Sequence, residues 1–245
     1  MSKSEVHVLP DAKAIAEEAA DRIVGAAAQA IQLSGTFTLA LSGGSTPKTL
    51  HQLLASDAYR SQIDWSKVEI YFGDERTVPP DHADSNYRMA HETLLSKVPI
   101  PPQNIHRMRG EIDPNEAAIE YGRMLKARFG ETGGIDLILL GMGDDGHTAS
   151  LFPSTEALRE THHRCLANFV PKLNTWRITM SAPFLNRSRE VLILVSGASK
   201  AHVLAQVLHG PRDQALFPVQ MIQPTSGKLY WLVDKAASSA AKPAG

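Results

Sequence analysis

Short apolar runs alternate with longer stretches of helical spacing along nearly the whole chain. Val6–Leu9, Phe37–Leu41, Val68–Phe72, Leu137–Leu140, Arg177–Ser181, Val191–Ser196 and Leu229–Val233 have the length and the β-branched or aromatic content of strands. Between them lie helical patterns. Asp11 stands as an N-cap before an alanine-rich segment with Ile15, Ala19, Ile23 and Ala27 along one stripe. Further helices are expected over Lys48–Ala55, Asn86–Leu95, Asn115–Phe129 and Ser199–Leu208. Strands separated by helices predict an α/β fold with a mostly parallel, doubly wound, Rossmann-like sheet. Five prolines between residues 77 and 105 (Pro79, Pro80, Pro99, Pro101 and Pro102), with Pro114 just beyond, mark a long excursion from this rhythm. Excursions of that length in compact domains are often functional. No internal repeat or linker divides the chain, so residues 1–235 are expected to form a single domain. The small, patternless residues 236–245, AASSAAKPAG, are expected to fray as a tail.

Composition narrows the class. A chain of 245 residues can bury the core of one large domain. A net charge of −1, without basic blocks or interleaved aromatics, argues against a nucleic-acid partner. Cys165 is the sole cysteine, which excludes an intramolecular disulfide and points to a reducing, cytoplasmic setting. The first residues carry early acids and lack the apolar core of a signal peptide, and no apolar run approaches the roughly 20 residues needed to span a bilayer. The ten histidines are scattered, and His162 and His163 lack ligand spacing, so no metal site is expected.

Chemistry concentrates where strands end. The run at 137–140 drops into Gly141-Met142-Gly143-Asp144-Asp145-Gly146-His147, which puts two aspartates and a histidine within four residues at the end of a buried strand, with a helix expected to follow. In open α/β sheets that edge is where ligands bind. The loop has the form GxGxxG, but two aspartates would face a pyrophosphate with like charge. No second strand ending in an acid follows about 20 residues on, so dinucleotide binding is rejected. A carboxylate beside an imidazole instead suits general-base activation of water, with His147 as base and Asp145 as its orienter. The alternative is a histidine that only caps a turn.

Ser42-Gly43-Gly44-Ser45-Thr46-Pro47 also joins a strand to a helix. It is either a capped turn or an anion cradle, in which exposed N–H groups and the helix dipole receive a phosphate or carboxylate. Pro47 excludes a Walker A loop. Gly73-Asp74-Glu75-Arg76 closes its strand with two acids and an arginine: a solvated turn, or Asp74 on sugar hydroxyls and Arg76 on a phosphate. Lys172 and Arg177 flank another strand start. Lys200 lies near a helix N-terminus, where a bound anion would justify a cation that opposes the dipole.

Taken together, LSGGSTP (41–47), GDER (73–76), DSNYRMA (84–90), GMGDDGHTASLFP (141–153), RITM (177–180) and SGASK (196–200) resemble the 6-phosphogluconolactonase branch of the glucosamine-6-phosphate isomerase/6-phosphogluconolactonase family. The blocks span about residues 35–205. GDDGHTASLFP is highly specific, whereas SGGSTP is shared with the deaminases. The resemblance implies a three-layer αβα fold and hydrolysis of 6-phospho-D-glucono-1,5-lactone to 6-phosphogluconate in the pentose phosphate pathway. It implies no cofactor, and the expected partner is that small sugar-phosphate lactone, with no membrane and no obligate protein partner. It makes His147 the general base and Asp145 its support, and places Asp74 on the sugar. Arg76, Arg177 and Lys200, joined by Ser42, Gly43, Gly44 and Ser45, become candidates for the phosphate or the oxyanion. Asn86 and Arg88 lie in a family-like block without an assigned role.

Deaminases of this family carry a glutamate five residues beyond the histidine, and here that position is Phe152. An apolar ring cannot shuttle a proton, which disfavours the deaminase reading. A non-enzymatic sugar-phosphate sensor would need an attached partner-binding module that the single domain does not supply, and a dehydrogenase fragment would need a dinucleotide motif.

Overall fold

The computed structural model describes residues 4–240. Six strands make the central sheet: β1 (Ser4–Leu9), β2 (Phe37–Leu41), β3 (Val68–Phe72), β5 (Leu137–Gly141), β8 (Glu190–Val195) and β9 (Lys228–Asp234). They lie in the order β1-β9-β8-β5-β2-β3, and every neighbouring pair is parallel. Parallel sheets need cover on both faces, so their strands read as continuous apolar runs. The two faces sort residues by the period of two along β5. Leu137 and Leu139 pack with Ile15 and Ile23 of helix α1 (Ala12–Ser34) and with Leu50 and Leu54 of α2 (Ser45–Leu54). Ile138 and Leu140 pack on the other side with Tyr121 and Leu125 of α5 (Pro114–Phe129) and Leu204 of α7 (Ala201–His209). The result is the three-layer αβα domain expected. The shorter helices are α3 (Asp57–Arg60), α4 (Asn86–Ala90) and α6 (Ala182–Leu185).

Local signals explain the long elements. The Asp11 carboxylate accepts the Ala14 N–H at 2.9 Å and caps α1, which stops at Gly35 in the left-handed region. Asp113 accepts from Asn115 and Glu116, and Pro114 opens α5 at its first position. The predicted helix at 86–95 is α4 followed by a π-turn over His91–Leu95.

Three expectations are corrected. Asp74–Arg76, read as a turn, is a strand, β4; with β6 (Cys165–Val170) and β7 (Thr175–Met180) it forms a separate antiparallel sheet in the order β4-β7-β6. The segment read as the 177–181 strand therefore belongs to this small sheet and not to the doubly wound one. No helix follows His147: Ala149 and Ser154 adopt positive φ, Thr148 bridges to Leu151, and Pro153 has no N–H to continue a helical ladder. Finally, residues 236–240 of the expected tail form a turn after β9, with Ala237 buried; residues 241–245 lie outside the described ones.

The sheet order places a topological switch between β2 and β5, since the chain leaves β2 for β3 on one side and later runs from β5 to β8 on the other. Ligands of open α/β sheets bind in the crevice at such a point, beyond the carboxyl ends of the strands. Ser42–Gly44 and the loop carrying His147 both emerge there.

Candidate active site

A cleft of about 410 Å³ opens at this switch point. It brings together Ser42, Gly43, Gly44, Asp74, Arg76, Asp145, His147, Arg177 and Lys200 from five separate segments. Ser45 stands outside the lining, exposed on the first turn of α2, whose N-cap is Gly44 with no side-chain cap bond. The amide edge of that helix is thus left open toward the cleft. Ser42 is buried there, and its hydroxyl finds no hydrogen-bond partner among the described residues.

The loop after β5 is shaped around His147. Its Nδ1 lies 2.5 Å from Asp145 Oδ1, and the same oxygen accepts the His147 backbone N–H at 3.3 Å. The other Asp145 oxygen accepts from Lys172 Nζ at 2.8 Å. The His147 hydrogen bond, seconded by Lys172, holds the Asp145 carboxyl well below the usual carboxylate range against the opposing cost of burial. Phe152 stacks on the imidazole with centroids 4.0 Å apart and planes at 20°. Glycine is required at 143, because a Cβ there would stand 2.0 Å from His147 Nδ1. Ring, carboxylate and loop backbone therefore define one orientation of the histidine, with Nδ1 engaged and Nε2 without a protein partner among the described residues.

Asp74 is nearly buried and receives the Ser150 hydroxyl at 2.6 Å on Oδ2, while Asn86 Nδ2 approaches its carbonyl at 3.0 Å and Oδ1 at 3.4 Å. Asn86 is in turn fixed by Glu75, which accepts the Asn86 and Tyr87 backbone N–H groups at 2.7 and 2.8 Å and so caps α4. Burial pushes the Glu75 carboxyl up, opposed by those N–H donors. A Cβ on Gly43 would collide with Asn86 Oδ1 at 2.0 Å, so Gly43 lets the β2 loop pass Asn86.

The cations divide into two kinds. Lys172 pairs with Asp145, and Lys200 with Asp144 at 2.5 Å, a contact that draws the Asp144 carboxyl down. Arg76 and Arg177 face each other across β4 and β7, and neither forms an ion pair among the described residues. Burial, and then the neighbouring Arg76 charge, pull the Arg177 guanidinium down. Like charges directly opposite in a sheet are destabilising, and a bound dianion would relieve them. Among the described residues no cluster of three or more histidine, cysteine, aspartate or glutamate side chains is placed to hold a metal ion, and no helix is long and apolar enough to cross a membrane.

The sequence matches, over residues 10–231, the family described as glucosamine-6-phosphate isomerases/6-phosphogluconolactonase. The chain belongs to this family. It is 42% identical to the 6-phosphogluconolactonase of Nostoc sp. across 97% of its own length and 98% of the relative's. Identity to the Synechocystis 6-phosphogluconolactonase is 41%, covering 98% and 99% of the two chains. Among solved structures, the 6-phosphogluconolactonase of Trypanosoma brucei superposes with a TM-score of 0.84 at 28% identity, covering 98% of this chain and 99% of that one. A monomeric glucosamine-6-phosphate deaminase shares the fold, with a TM-score of 0.81 at 19% identity over 96% and 99%.

Some residues of this cleft escaped the sequence reading. Lys172 was visible only as a cation near a strand, because its partner Asp145 is 27 residues away in sequence. Ser150 and Thr148, also in the lining, sit inside the GHTAS block but carried no signal of the Asp74 contact or of the bond from Thr148 to the Gly141 carbonyl. Asn86, noted without a role, contacts Asp74 and packs under Gly43.

Proposed function

We propose that the chain hydrolyses 6-phospho-D-glucono-1,5-lactone to 6-phosphogluconate, the lactone-opening step of the pentose phosphate pathway, with His147 as general base. The observation that carries this reading is the 2.5 Å contact between His147 Nδ1 and Asp145, in the same cleft as two arginines without acidic partners. Nδ1–H donates a hydrogen bond to the Asp145 carboxylate, which leaves the Nε2 lone pair for water. Nε2 removes a proton as the water oxygen bonds to the lactone carbonyl carbon. The tetrahedral intermediate then collapses, the bond to the ring oxygen breaks, and the imidazolium returns its proton to that oxygen. The carboxylic acid ionises to complete the product. Asp145 stays ionised throughout and stabilises the imidazolium, while Phe152 holds the ring plane.

Arg76 and Arg177 are assigned to the phosphate, with Lys200 and the open amide edge from Ser42 to Gly44 completing the anion-binding cradle. Asp74, oriented by Ser150 and Asn86, is assigned to sugar hydroxyls. Phe152 fills the position at which deaminases carry an acid, so the site has no second proton carrier there for ring opening. The test couples glucose 6-phosphate dehydrogenase, which makes the lactone in place, to 6-phosphogluconate dehydrogenase and reads NADPH with and without the protein. Acceleration over spontaneous hydrolysis that falls at least about a hundredfold in His147→Ala supports the assignment. Unchanged turnover in that variant removes His147 from proton transfer, and no acceleration by folded wild-type protein sinks the lactonase reading.

A further inference from the structure

Asp234 ends β9 and is only 5% exposed. A buried carboxylate is costly unless its oxygens are hydrogen-bonded, and the donors it has found are informative. Oδ2 accepts the Ser196 hydroxyl at 2.5 Å and the Gly197 N–H at 3.0 Å; Oδ1 lies 3.2 Å from that same nitrogen and accepts the Ala237 N–H at 2.7 Å. One carboxylate thereby ties the loop that leaves β8 to the turn that follows β9.

On its other side the loop meets Asp144, through the Ser199 hydroxyl at 3.5 Å and the Lys200 ammonium at 2.5 Å. Gly197 sits at φ 98°, a conformation open to glycine and strained for other residues. It enters a single 3-10 turn, Ala198–Lys200, and then α7, and neither element has a side-chain cap bond at its N-terminus. Lys200 closes the turn through its N–H to the Gly197 carbonyl at 3.1 Å, and its side chain runs into the cleft to meet Asp144. The path from Asp234 to the lysine ammonium is therefore short: carboxylate, Gly197 peptide, one turn, Lys200.

We propose that Asp234 is a positioning residue for Lys200, aiming the ammonium into the substrate cleft by pinning the Ser196–Gly197 corner. This rests on the reading above in which Lys200 meets the substrate anion. Asp234 touches no substrate. It acts because Lys200 has a long, flexible stem whose useful range of positions is set by where its backbone is anchored.

The test is a double-mutant cycle with steady-state kinetics and thermal melts on the full chain. Asp234→Asn keeps the shape but gives one of its contacts an NH2 where an oxygen was. It should change the same parameter, KM or kcat, that Lys200→Ala changes, by about tenfold, in protein that melts cooperatively. The double variant should be no worse than Lys200→Ala alone, because a residue that acts through Lys200 has nothing left to position. Ser196→Ala removes one hydrogen bond of the corner and should give a smaller shift of the same parameter, about threefold; it carries the test if Asp234→Asn fails to fold. Wild-type kinetics in Asp234→Asn or, where that variant is unfolded, in Ser196→Ala, or losses that multiply with Lys200→Ala, would overturn the proposal. A Lys200→Ala variant with wild-type kinetics would instead overturn the reading of the site and the proposal with it, so the two failures are distinguishable.

Discussion

In the parallel sheet, β2 buries all five of its residues and β8 all but its first, and both faces are sealed by helices. In the antiparallel sheet, β4 is three residues long and presents Asp74 and Arg76 to the cleft, β7 adds Arg177, and the β6–β7 hairpin adds Lys172. The first sheet is stabilised by removing apolar surface from water. The second keeps an apolar side in Cys165, Ile178 and Met180 but gives its shortest strand to charge, sets two arginines opposite each other, and is joined to the end of β3 at Gly73, whose carbonyl accepts the Met180 N–H. The strands of the large sheet thus carry burial while the loops beyond their ends carry His147 and Lys200, and the small sheet carries the two arginines that lack an ion-pair partner among the described residues. The division is sharp enough to attack experimentally.

The largest effect is expected in the parallel sheet. Leu139→Ala, at a fully buried position of β5, should lower unfolding free energy by about 2–5 kcal/mol in urea titrations. Its kcat per folded molecule should stay near wild type. A selective loss of kcat in folded protein would break the division.

Next comes His51 of α2, fully buried, with Thr93 at 3.3 Å its one side-chain hydrogen-bond partner among the described residues. Burial pushes its imidazole down to about 4. The folded state therefore keeps the ring neutral while the unfolded chain, near its ordinary value of about 6.5, takes up a proton. Stability is full above that value and declines as pH falls from about 6.5 to about 4, by about 3 kcal/mol. Urea unfolding at several pH values should show a smaller acid loss in His51→Leu than in wild type; equal slopes would remove His51 as the source.

In the small sheet, Arg177→Ala and Arg76→Ala should each weaken kcat/KM by about 1.5–3 kcal/mol through lost charge-assisted bonds. The thermal midpoint should hold or rise, since each change removes a like-charge opposition. Inorganic phosphate should compete with substrate in wild type and more weakly in either variant. A fall in midpoint without a kinetic effect would make the arginines structural.

Lys172→Met should matter least. That lysine is 67% exposed, and exposed pairs contribute about 0.2–1 kcal/mol, so turnover should stay within about fivefold. A loss approaching that of His147→Ala would place Lys172 in the chemistry.

The same contrast explains what the amino-acid order made readable. β2 and β3 fall where Phe37–Leu41 and Val68–Phe72 predict them, because burial on both faces demands unbroken apolar runs. Asp11 announces its helix because capping is local chemistry. The clustering of acids, histidine and glycines after β5 was legible for the same reason: its geometry is made within a few residues. β4 was hidden because three charged residues resemble a turn, and β6 because Cys165–Val170 shows no clean alternation or bracketing glycines. Pairing decides both strands, and pairing is a long-range property. Likewise no spacing rule joins Ser150 to Asp74, Lys172 to Asp145 or Asp234 to Gly197.

Two glycines at the end of β5 and just beyond it face different surroundings. A methyl group added at Gly141 would meet nothing within 4 Å, whereas at Gly143 it would occupy the volume of the His147 ring. A side chain at residue 143 and the His147 ring are rivals for a single space. In a library selected for lactone hydrolysis, replacements should disappear at 143, so the histidine writes its position into a residue that has no side chain of its own.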